Sequence, residues 1–429
     1  MASLHPILKK SYWILATVGG FYAIFMTCLT SSWFQRHALY AHKIHTGFWH
    51  DVSNPESFGF AKGQVTPFNL STADGETLYC WHVLPLDVYL EYETEIVQKA
   101  SGPVEDMTTT VGYKLLKRDP ESQVVVNFHG NAGHLAQGYR PQTYRSIAGI
   151  PKTHLLTCDY RGFGRSTLLN PPHIPTESGL ITDGISLIHY ILTTLSHPST
   201  RTVLLGQSLG TAVTAASALH FTYPDTDILP PDVARPSAKS KPQSFAGIVL
   251  VATFPSLPEL VKTYKIAGVI PTLSPLRPYP RISNFLSSRI VDKWPTLDRL
   301  KALISLSGKQ KTGVRINILH ARNDQDIGFR LGEDVFEGLE AVIRGEEGVI
   351  SQEERRSILG NERVKRGAFA YRKVEDYEAV SGKGVGRSIE LEVVRYGGHN
   401  EVVGFSQVSL AVRRAFAGHP SFKPGLDTE

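Results

Sequence analysis

A serine bounded by glycines lies where an apolar segment of the chain gives way to small residues. Residues 203–210 read VLLGQSLG, and an Ala-rich stretch with no helix breaker follows as far as Pro224. This pattern predicts a strand, a tight turn and a helix, with Ser208 at the apex of the turn. Such an apex needs a strained backbone, so Gly206 and Gly210 would relieve clashes. The turn exposes Ser208 as a candidate nucleophile; the alternative is a serine that only turns the chain.

A serine hydroxyl needs a base within hydrogen-bond reach, and the base needs an acid to orient it. His399 is the predicted base, because it follows the last predicted strand and two glycines that leave its ring free to reach the sheet edge. Asp324 is the predicted acid, as the first carboxylate after VRINIL, in the loop HARNDQD. Asp326, two residues further on, is the alternative acid.

Backbone N–H groups near the serine are the second requirement, because an attacked carbonyl develops negative charge. Leu209 would begin the helix after the turn, so its free N–H points at such an oxyanion. A second donor is expected in residues 129–133, HGNAG, which follow the strand VVVNF and are called the oxyanion loop below. Asn131 or Ala132 would supply that donor. His129 is expected to brace the loop rather than to act as a base.

Buried strands that alternate with helices are expected to position these residues. The predicted strands cover residues 124–128, 154–158, 202–205, 247–254, 314–319 and 390–396. Residues 64–84 predict an antiparallel hairpin with a turn at Asp74 and Gly75, and residues 177–195 predict a crossover helix. Repeated strand–helix units predict an α/β fold with a mostly parallel central sheet and flanking helices. Ligands bind such sheets at the carboxyl ends of the strands.

Four segments depart from this alternation. Residues 85–122 are predicted to hold a short helix and then a polar link, residues 222–244 to be a disordered surface insertion, and residues 344–387 to be a charged, mobile insertion. Residues 255–311 are rich in proline, aromatic and large aliphatic residues, which predicts a cap or lid. Its apolar residues would form a wall for an acyl chain: Leu257, Leu260, Ile266, Val269, Ile270, Leu273, Phe285 and Leu286.

The N-terminal segment predicts a membrane anchor. Residues 12–29 are predominantly apolar and just long enough to span a bilayer, with aromatic residues near both ends. We therefore expect an anchor over residues 1–35 and a catalytic domain over residues 36–429. A cleaved signal peptide and a buried core helix are the alternatives, and the Thr-Ser-Ser that follows fits a cleavage site poorly. Basic residues flank both ends of the span, so charge barely decides its orientation.

Composition narrows the function classes. The 429 residues carry a formal net charge of +5 and contain no basic run interleaved with aromatic residues, so nucleic-acid binding is not indicated. Cys28, Cys80 and Cys158 match neither a zinc site nor a disulfide framework, and Cys158 is expected to be a small buried residue. No cluster of metal ligands is seen, and the chemistry above needs no cofactor. Asn69 begins an Asn-Leu-Ser sequon, a glycosylation site if the body is lumenal.

The motifs FHGNAG, DYRGFGRS, GQSLG, LHARND and GGH, in this order behind one apolar N-terminal segment, resemble the α/β-hydrolase superfamily. Within it the chain resembles the membrane-anchored α/β-hydrolase-domain-containing protein twelve type, over roughly residues 64–417. The resemblance implies these roles: nucleophile Ser208, acid Asp324, base His399, oxyanion donors Asn131 and Leu209. It further implies hydrolysis of monoacylglycerols or lysophospholipids, lysophosphatidylserine among them, at the endoplasmic reticulum membrane with the catalytic domain in the lumen.

Two other interpretations stay open from the sequence. One is a different serine acyl hydrolase, such as a thioesterase or a carboxylesterase for soluble esters. The other is a non-catalytic binding protein on the same scaffold, which is disfavoured because the nucleophile, acid and base positions are all filled. A lipid ester and the membrane are the expected partners, whereas the head group, the acyl length and any protein partner are not indicated.

Overall fold

The computed structural model describes residues 6–418 except 48, 100, 225, 237–241, 267–269, 277, 311, 346–359 and 377–385. Its strands in chain order are β1 (Val65–Ser71), β2 (Thr77–Val83), β3 (Gln123–Phe128), β4 (Thr153–Cys158), β5 (Thr202–Gln207), β6 (Gly247–Val251), β7 (Lys265–Ile266), β8 (Ile270–Pro271), β9 (Val314–Ala321), β10 (Ala370–Asp376) and β11 (Arg387–Val394). Within these described ranges, nine strands form one sheet in the order β1-β2-β4-β3-β5-β6-β9-β11-β10. The central strands β3, β4, β5 and β6 are buried along their whole length, as expected for strands covered on both faces.

The central strands of the sheet run parallel, and its edges run antiparallel. Strands β4, β3, β5, β6, β9 and β11 pair in parallel, whereas β1, β2 and β10 are antiparallel to their neighbours. Phe128 at the end of β3 pairs with Gly206 of β5, and Gln207 pairs with Val251 at the end of β6. The carboxyl ends of these strands therefore meet at one edge of the sheet, where the loops with the candidate residues emerge.

Helices cover both faces of this sheet. They are α1 (Pro6–Cys28), α2 (Ser32–Tyr40), α3 (Leu86–Glu91), α4 (Glu93–Val97), α5 (Val111–Arg118), α6 (Arg140–Ala148), α7 (Glu177–Thr193), α8 (Leu209–Thr222), α9 (Leu257–Val261), α10 (Pro280–Ser288), α11 (Thr296–Gln310), α12 (Phe329–Arg344), α13 (Gly398–Glu401) and α14 (Ser406–Ala417). Buried side chains of α7, α8, α11 and α12 share one hydrophobic cluster, and those of α6 and α14 share another across the sheet. The predicted α/β-hydrolase fold with a mostly parallel sheet is confirmed.

The segments between these elements are more ordered than their composition predicts. In the 85–122 insertion, the expected polar link contains α5, which packs with α3 and α4 around a small apolar cluster that includes Val88, Ile96 and Leu115. The 344–387 insertion was expected to be mobile, yet β10 lies in it and pairs with β11. The rest of that insertion falls largely outside the described residues.

Two further boundaries differ from the sequence prediction. Within residues 222–244, expected to be disordered, Leu229 and Val233 are buried and Asp232 accepts a hydrogen bond from Ser178 of α7. Helix α11 lies inside the predicted cap range of residues 255–311, but it packs in the main core through residues such as Leu303. The cap is therefore confined to α9, the β7–β8 hairpin and α10.

Helix α1 stands apart from the sheet. Most of its side chains are exposed, and Met26 near its end is buried. By length and composition it could cross a membrane. The hydroxyl of Tyr22 donates a hydrogen bond of 2.6 Å to the carbonyl oxygen of Thr272 in the cap. The C-terminal part of α1 is thus attached to the cap.

Cys80 and Cys158 form a disulfide, and the prediction that they belong to no such bond is wrong. They lie directly opposite each other on β2 and β4, with their Cα atoms 4.0 Å apart. Because 78 positions separate them, only the order of the strands reveals that they are neighbours. Cys158 is buried as expected, whereas the thiol of Cys28 is free.

Candidate active site

Ser208 occupies a strained turn between β5 and α8. Its φ and ψ angles are 53° and −122°, a conformation that residues other than glycine rarely adopt. The backbone is held there in part by a 2.9 Å hydrogen bond from the N–H of Ser208 to the carbonyl oxygen of Val251. A Cβ on Gly206 would lie 2.5 Å from the Gly210 oxygen, and one on Gly210 would lie 2.0 Å from the Phe128 oxygen. The two glycines are therefore required sterically, as the sequence predicts.

Three predicted residues meet at this turn. The Ser208 Oγ lies 3.0 Å from Nε2 of His399, and Nδ1 of His399 lies 2.9 Å from Oδ2 of Asp324. These residues come from loops after three different strands, β5, β9 and β11. The arrangement allows the imidazole to accept a proton from the serine while the carboxylate fixes the orientation of the ring.

The loop that carries His399 is held in place by its neighbours. Gly397 and Gly398 have φ angles of 126° and 55°, which favour glycine at both positions. The Gly398 N–H donates to Oδ1 of Asn323, and the side-chain amide of Gln207 donates to the carbonyl oxygen of His399. Gln207 and Asn323 thus position the histidine, and neither gave a signal in the sequence beyond its place beside a predicted site residue.

The charges around His399 favour its role as a base oriented by a carboxylate. Burial lowers the pKa of His399, but the hydrogen bond and negative charge of Asp324, together with the charge of Asp326, raise it above its ordinary value. Burial raises the pKa of Asp324, but its contacts with His320 and His399 outweigh this effect and hold that pKa well below its usual range. Asp324 therefore stays ionised wherever His399 titrates.

The two candidate acids occupy different places. Oδ2 of Asp324 faces His399, and its Oδ1 accepts hydrogen bonds from the N–H groups of Asp326 and Ile327. Asp326 lies along the wall of the cavity described below. The structure thus brings Asp324 into contact with Nδ1 of His399, while Asp326 contributes its backbone to the loop and its charge to the surroundings.

The oxyanion loop runs beside the serine. A Cβ on Gly130 would lie 3.4 Å from the Cβ of Ser208, so the loop backbone can approach a bound substrate closely. Asn131, Ala132 and Leu209 all line the same cavity as Ser208. Within the part of the chain that the structure describes, the N–H groups of Asn131 and Leu209 donate no hydrogen bond. Both remain available to a developing oxyanion.

A partly buried arginine that the sequence analysis missed holds the oxyanion loop from inside. Nη2 of Arg140 donates to the carbonyl oxygens of Gly130, Asn131 and Ala132 at 2.8–2.9 Å. Nη1 of the same guanidinium donates to the carbonyl oxygen of His134 at 2.6 Å. Four carbonyls therefore point inward at one cation, and nothing in the sequence around Arg140 indicates this role.

His129 and Asp159 complete the inner support of this loop. Burial and the positive charge of Arg140 hold the pKa of His129 well below its ordinary value, and its Nδ1 contacts the Gly130 oxygen at 2.7 Å. A neutral ring in this position fits the predicted bracing role. Burial raises the pKa of Asp159 to about 7, and its Oδ1 accepts a hydrogen bond from the Leu135 N–H.

The segment after α1 holds the oxyanion loop from outside. The side-chain amide of Asn131 donates to the carbonyl oxygen of Leu39 in α2, and the Gly133 N–H donates to the Ile44 oxygen at 2.9 Å. Thr46 adds a contact of 3.1 Å between its Oγ1 and Nε2 of His134. We call residues 39–46 the clasp, because they connect the N-terminal helices to the oxyanion loop.

These residues surround a cavity of about 430 Å³. Ser208 and His399 line this cavity, and α1, α2 and the cap contribute many of its apolar residues. Of the predicted wall residues, Leu257, Leu260, Leu273 and Leu286 line this cavity, Phe285 lines a neighbouring groove, and the side chains of Ile266, Val269 and Ile270 lie outside the described residues. Arg36 of α2 contributes a charge, which is paired with Asp292 at 3.1 Å.

Parts of the chain are similar in sequence to curated proteins. Protein bem46 of Schizosaccharomyces pombe is 31% identical over 137 residues, 31% of this chain and 41% of its own length. Human protein ABHD12B is 31% identical over 151 residues, 35% of this chain and 36% of its own length. The chain has the α/β-hydrolase fold and is similar, over about a third of its length, to proteins of the ABHD12 type. The matched segments span less than half the length of these relatives, and no protein-family model matches the chain.

Solved structures also resemble this α/β-hydrolase. An α/β hydrolase from Vibrio vulnificus aligns with 78% of this chain and 91% of its own, with a TM-score of 0.48 and 14% identity. Esterase Pf2001 of Pyrococcus furiosus aligns with 85% of this chain and 94% of its own, with a TM-score of 0.44 and 11% identity. At this level of similarity, the site of this α/β-hydrolase has to be interpreted from its own residues.

Proposed function

We propose that this chain is a membrane-anchored serine hydrolase that cleaves lipid esters, namely monoacylglycerols or lysophospholipids. The observation that carries the proposal is the set of contacts from Ser208 through His399 to Asp324 at the end of an apolar cavity. The strained turn at Ser208 supports catalysis over a purely structural serine, because a turn alone does not need this conformation.

In the proposed mechanism, Ser208 Oγ attacks the ester carbonyl while Nε2 of His399 takes the hydroxyl proton. The N–H groups of Asn131 and Leu209 stabilise the negative charge on the carbonyl oxygen. His399 then gives its proton to the leaving alkoxide, and an acyl-enzyme forms on Ser208. Water then gives a proton to His399 and attacks the acyl-enzyme, and His399 returns the proton to Ser208 Oγ as the fatty acid is released. Asp324 stabilises the imidazolium throughout.

The lipid part of the proposal rests on the walls of the cavity. Phe25 and Met26 of α1, and Leu29 directly after this helix, line the same cavity as Ser208. A helix that is apolar and long enough to span a bilayer therefore also forms part of the substrate site. A bound acyl chain would cover this apolar surface and remove it from water, which is favourable. A small polar ester would leave most of the surface uncovered.

We further propose that the catalytic domain faces the lumen of the endoplasmic reticulum. The disulfide between Cys80 and Cys158 supports an oxidising compartment, because such bonds are rare in the cytosol. Asn69 of the sequon is exposed on β1, the edge strand of the sheet. If this orientation is right, Asn69→Gln should abolish an endoglycosidase-sensitive increase in apparent mass, whereas a wild-type chain without this increase argues against a glycosylated lumenal domain.

Fluorophosphonate labelling of membrane fractions tests the proposed activity. The wild-type chain should be labelled, lysophosphatidylserine should compete, and Ser208→Ala should remove the label while the chain stays folded. Hydrolysis of a panel of lysophospholipids, monoacylglycerols, acyl thioesters and short soluble esters then distinguishes a lipase from other serine acyl hydrolases. A folded wild-type chain that neither binds the label nor hydrolyses any ester would favour a non-catalytic binding protein.

A further inference from the structure

A second apolar space lies between α1 and the cap. This groove of about 590 Å³ runs between the C-terminal half of α1 and α10. Residues from both sides line it, among them Ala23, Met26 and Thr27 of α1 and Ile282, Phe285 and Leu286 of the cap. We call this space the α1–α10 groove.

The groove adjoins the catalytic cavity. Met26 and Leu286 line both spaces, so the two side chains separate the groove from the cavity that contains Ser208. Met26 is buried, and Leu286 is half-buried. Methionine is an unbranched, flexible side chain that can adapt its shape. Met26 and Leu286 therefore form the boundary at which the two spaces meet.

The outer side of the groove carries exposed apolar residues. Ile282 and Phe285 of α10 line the groove and are 49% and 53% exposed. Helix α1, whose side chains are mostly exposed, lines the other side of the groove, and the hydrogen bond from Tyr22 to Thr272 attaches it to the cap. Aromatic and aliphatic residues beside a membrane-spanning helix fit the lipid interface. The α10 face of the cap therefore fits a lipid surface.

We propose that the α1–α10 groove is a lateral portal through which the acyl chain of a lipid ester passes directly from the bilayer to Ser208. The inference rests on the proposed function, since it needs α1 in a membrane and a lipid substrate. Drawing an acyl chain through water costs free energy for each methylene exposed. The groove lowers that cost because apolar side chains of α1 and the cap line most of the route, with Met26 and Leu286 bordering the catalytic cavity, while Thr27, Thr30 and Arg289 add polar groups.

Two alanines of α1 provide a matched test. Ala23→Trp places a large side chain in the groove, whereas Ala16→Trp places the same side chain seven residues earlier on nearly the same exposed face of α1. Ala23 lies outside the catalytic cavity, so a soluble ester should still reach Ser208. Each variant and the wild-type chain would be reconstituted in phosphatidylcholine vesicles. We would measure the hydrolysis of two esters: a long-chain monoacylglycerol in the vesicles and 4-nitrophenyl acetate in the buffer.

We expect Ala23→Trp to reduce monoacylglycerol hydrolysis by about tenfold while acetate ester hydrolysis stays within about twofold of wild type. Ala16→Trp should leave both rates unchanged. Unchanged monoacylglycerol hydrolysis in Ala23→Trp would overturn the portal. An equal loss of both activities would also count against the portal, because the tryptophan side chain would then disturb the catalytic residues themselves.

The outcome for the wild-type chain separates this inference from the proposed function. If neither ester is hydrolysed in a manner that depends on Ser208, the proposed hydrolase activity fails. If only the acetate ester is hydrolysed, the lipid substrate fails and the portal fails with it. If both are hydrolysed, the comparison of the two tryptophan variants decides on the portal alone.

Discussion

Ser208, His399 and Asp324 are held by neighbours that fix each side chain in the absence of substrate. The strained backbone orients the serine, and Gln207 and the loop glycines orient the histidine. Hydrogen bonds to both Asp324 oxygens orient the carboxylate. Such preorganisation is what a proton transfer between these groups requires, because no side chain has to be moved at the moment of reaction.

Replacing each candidate acid separately distinguishes their roles. Asp324→Asn should lower kcat by about 10³–10⁴-fold, because the amide cannot stabilise the imidazolium that forms at His399. Asp326→Asn should retain kcat within about tenfold, because its backbone N–H, which donates to Asp324, is unchanged. Steady-state hydrolysis of 4-nitrophenyl acetate measures both. The reverse order of effects would make Asp326 the acid.

The raised pKa of His399 predicts the acid limb of the pH profile. His399 must be neutral to accept the serine proton, so kcat/KM should fall at low pH. The midpoint of this fall should lie above pH 6.5, the ordinary pKa of histidine. Asp326→Asn removes one negative charge that raises this pKa, so the limb should move to lower pH. A pH series on both chains measures the shift.

The exposed Asp298 on α11 supplies the control for that series. It is not among the charges that act on His399, so Asp298→Asn should leave the limb in place. An acid limb that lies below pH 6.5 in the wild-type chain, or that moves upward in Asp326→Asn, would contradict the assignment of His399 as the titrating base.

The sequence was sufficient to predict that Ser208, Asp324 and His399 lie close together. The glycine-bounded turn at Ser208 and the loops that follow two predicted strands are patterns within short stretches of sequence. It was not sufficient to find Arg140, His320 or Asn323. Asn323 acts through a contact with another loop, at the N–H of Gly398. Arg140 acts through four carbonyls of residues 130–134, and His320 through Asp324, four residues further on. No pattern in the nearby sequence indicates the direction in which those backbone carbonyls point.

At the scale of elements, the oxyanion loop lies between two supports. Arg140 of α6 holds it from inside, and the clasp of residues 39–46 holds it from outside. The clasp begins at the end of α2, where Arg36 and Tyr40 both contact Asp292, in the segment that follows the cap helix α10. The N-terminal helices therefore connect the cap and the oxyanion loop mechanically, in addition to any part they play in anchoring.

Asn131→Ala tests the outer support. The variant keeps the backbone N–H but loses the amide that donates to Leu39, so kcat should fall by about tenfold with little change in KM. Asn170→Ala is the matched control, since it also removes an amide that donates to a distant carbonyl, that of Asp74, away from the site. Equal kcat values for the two variants on 4-nitrophenyl acetate would show that the clasp does not position the loop.

Elements with strong periodicity were predictable, and elements that depend on a neighbour were not. The crossover helix α7 and the central strands follow from apolar spacing alone. Strand β10 is stabilised by pairing with β11, and α5 by packing on α3 and α4, so their own charged or polar sequences give little indication of them.

At the scale of the molecule, the disulfide joins an antiparallel part of the sheet to its parallel part. Cys80→Ala combined with Cys158→Ala should lower the free energy of unfolding by about 2–5 kcal/mol, because the unfolded chain loses a long covalent loop. Cys28→Ala, which removes the free thiol, should have no such effect. Urea unfolding in detergent micelles measures both variants. Equal midpoints for the double variant and the wild-type chain would contradict this role.

The same bond also determines how the chain would come apart. The covalent ring from Cys80 to Cys158 contains the 85–122 insertion, β3 and the oxyanion loop, while α1 and β1 precede it. A protease that cut within the insertion would therefore not release the N-terminal helices from the nucleophile. The nicked protein would migrate as one species until a reductant separated it into two fragments.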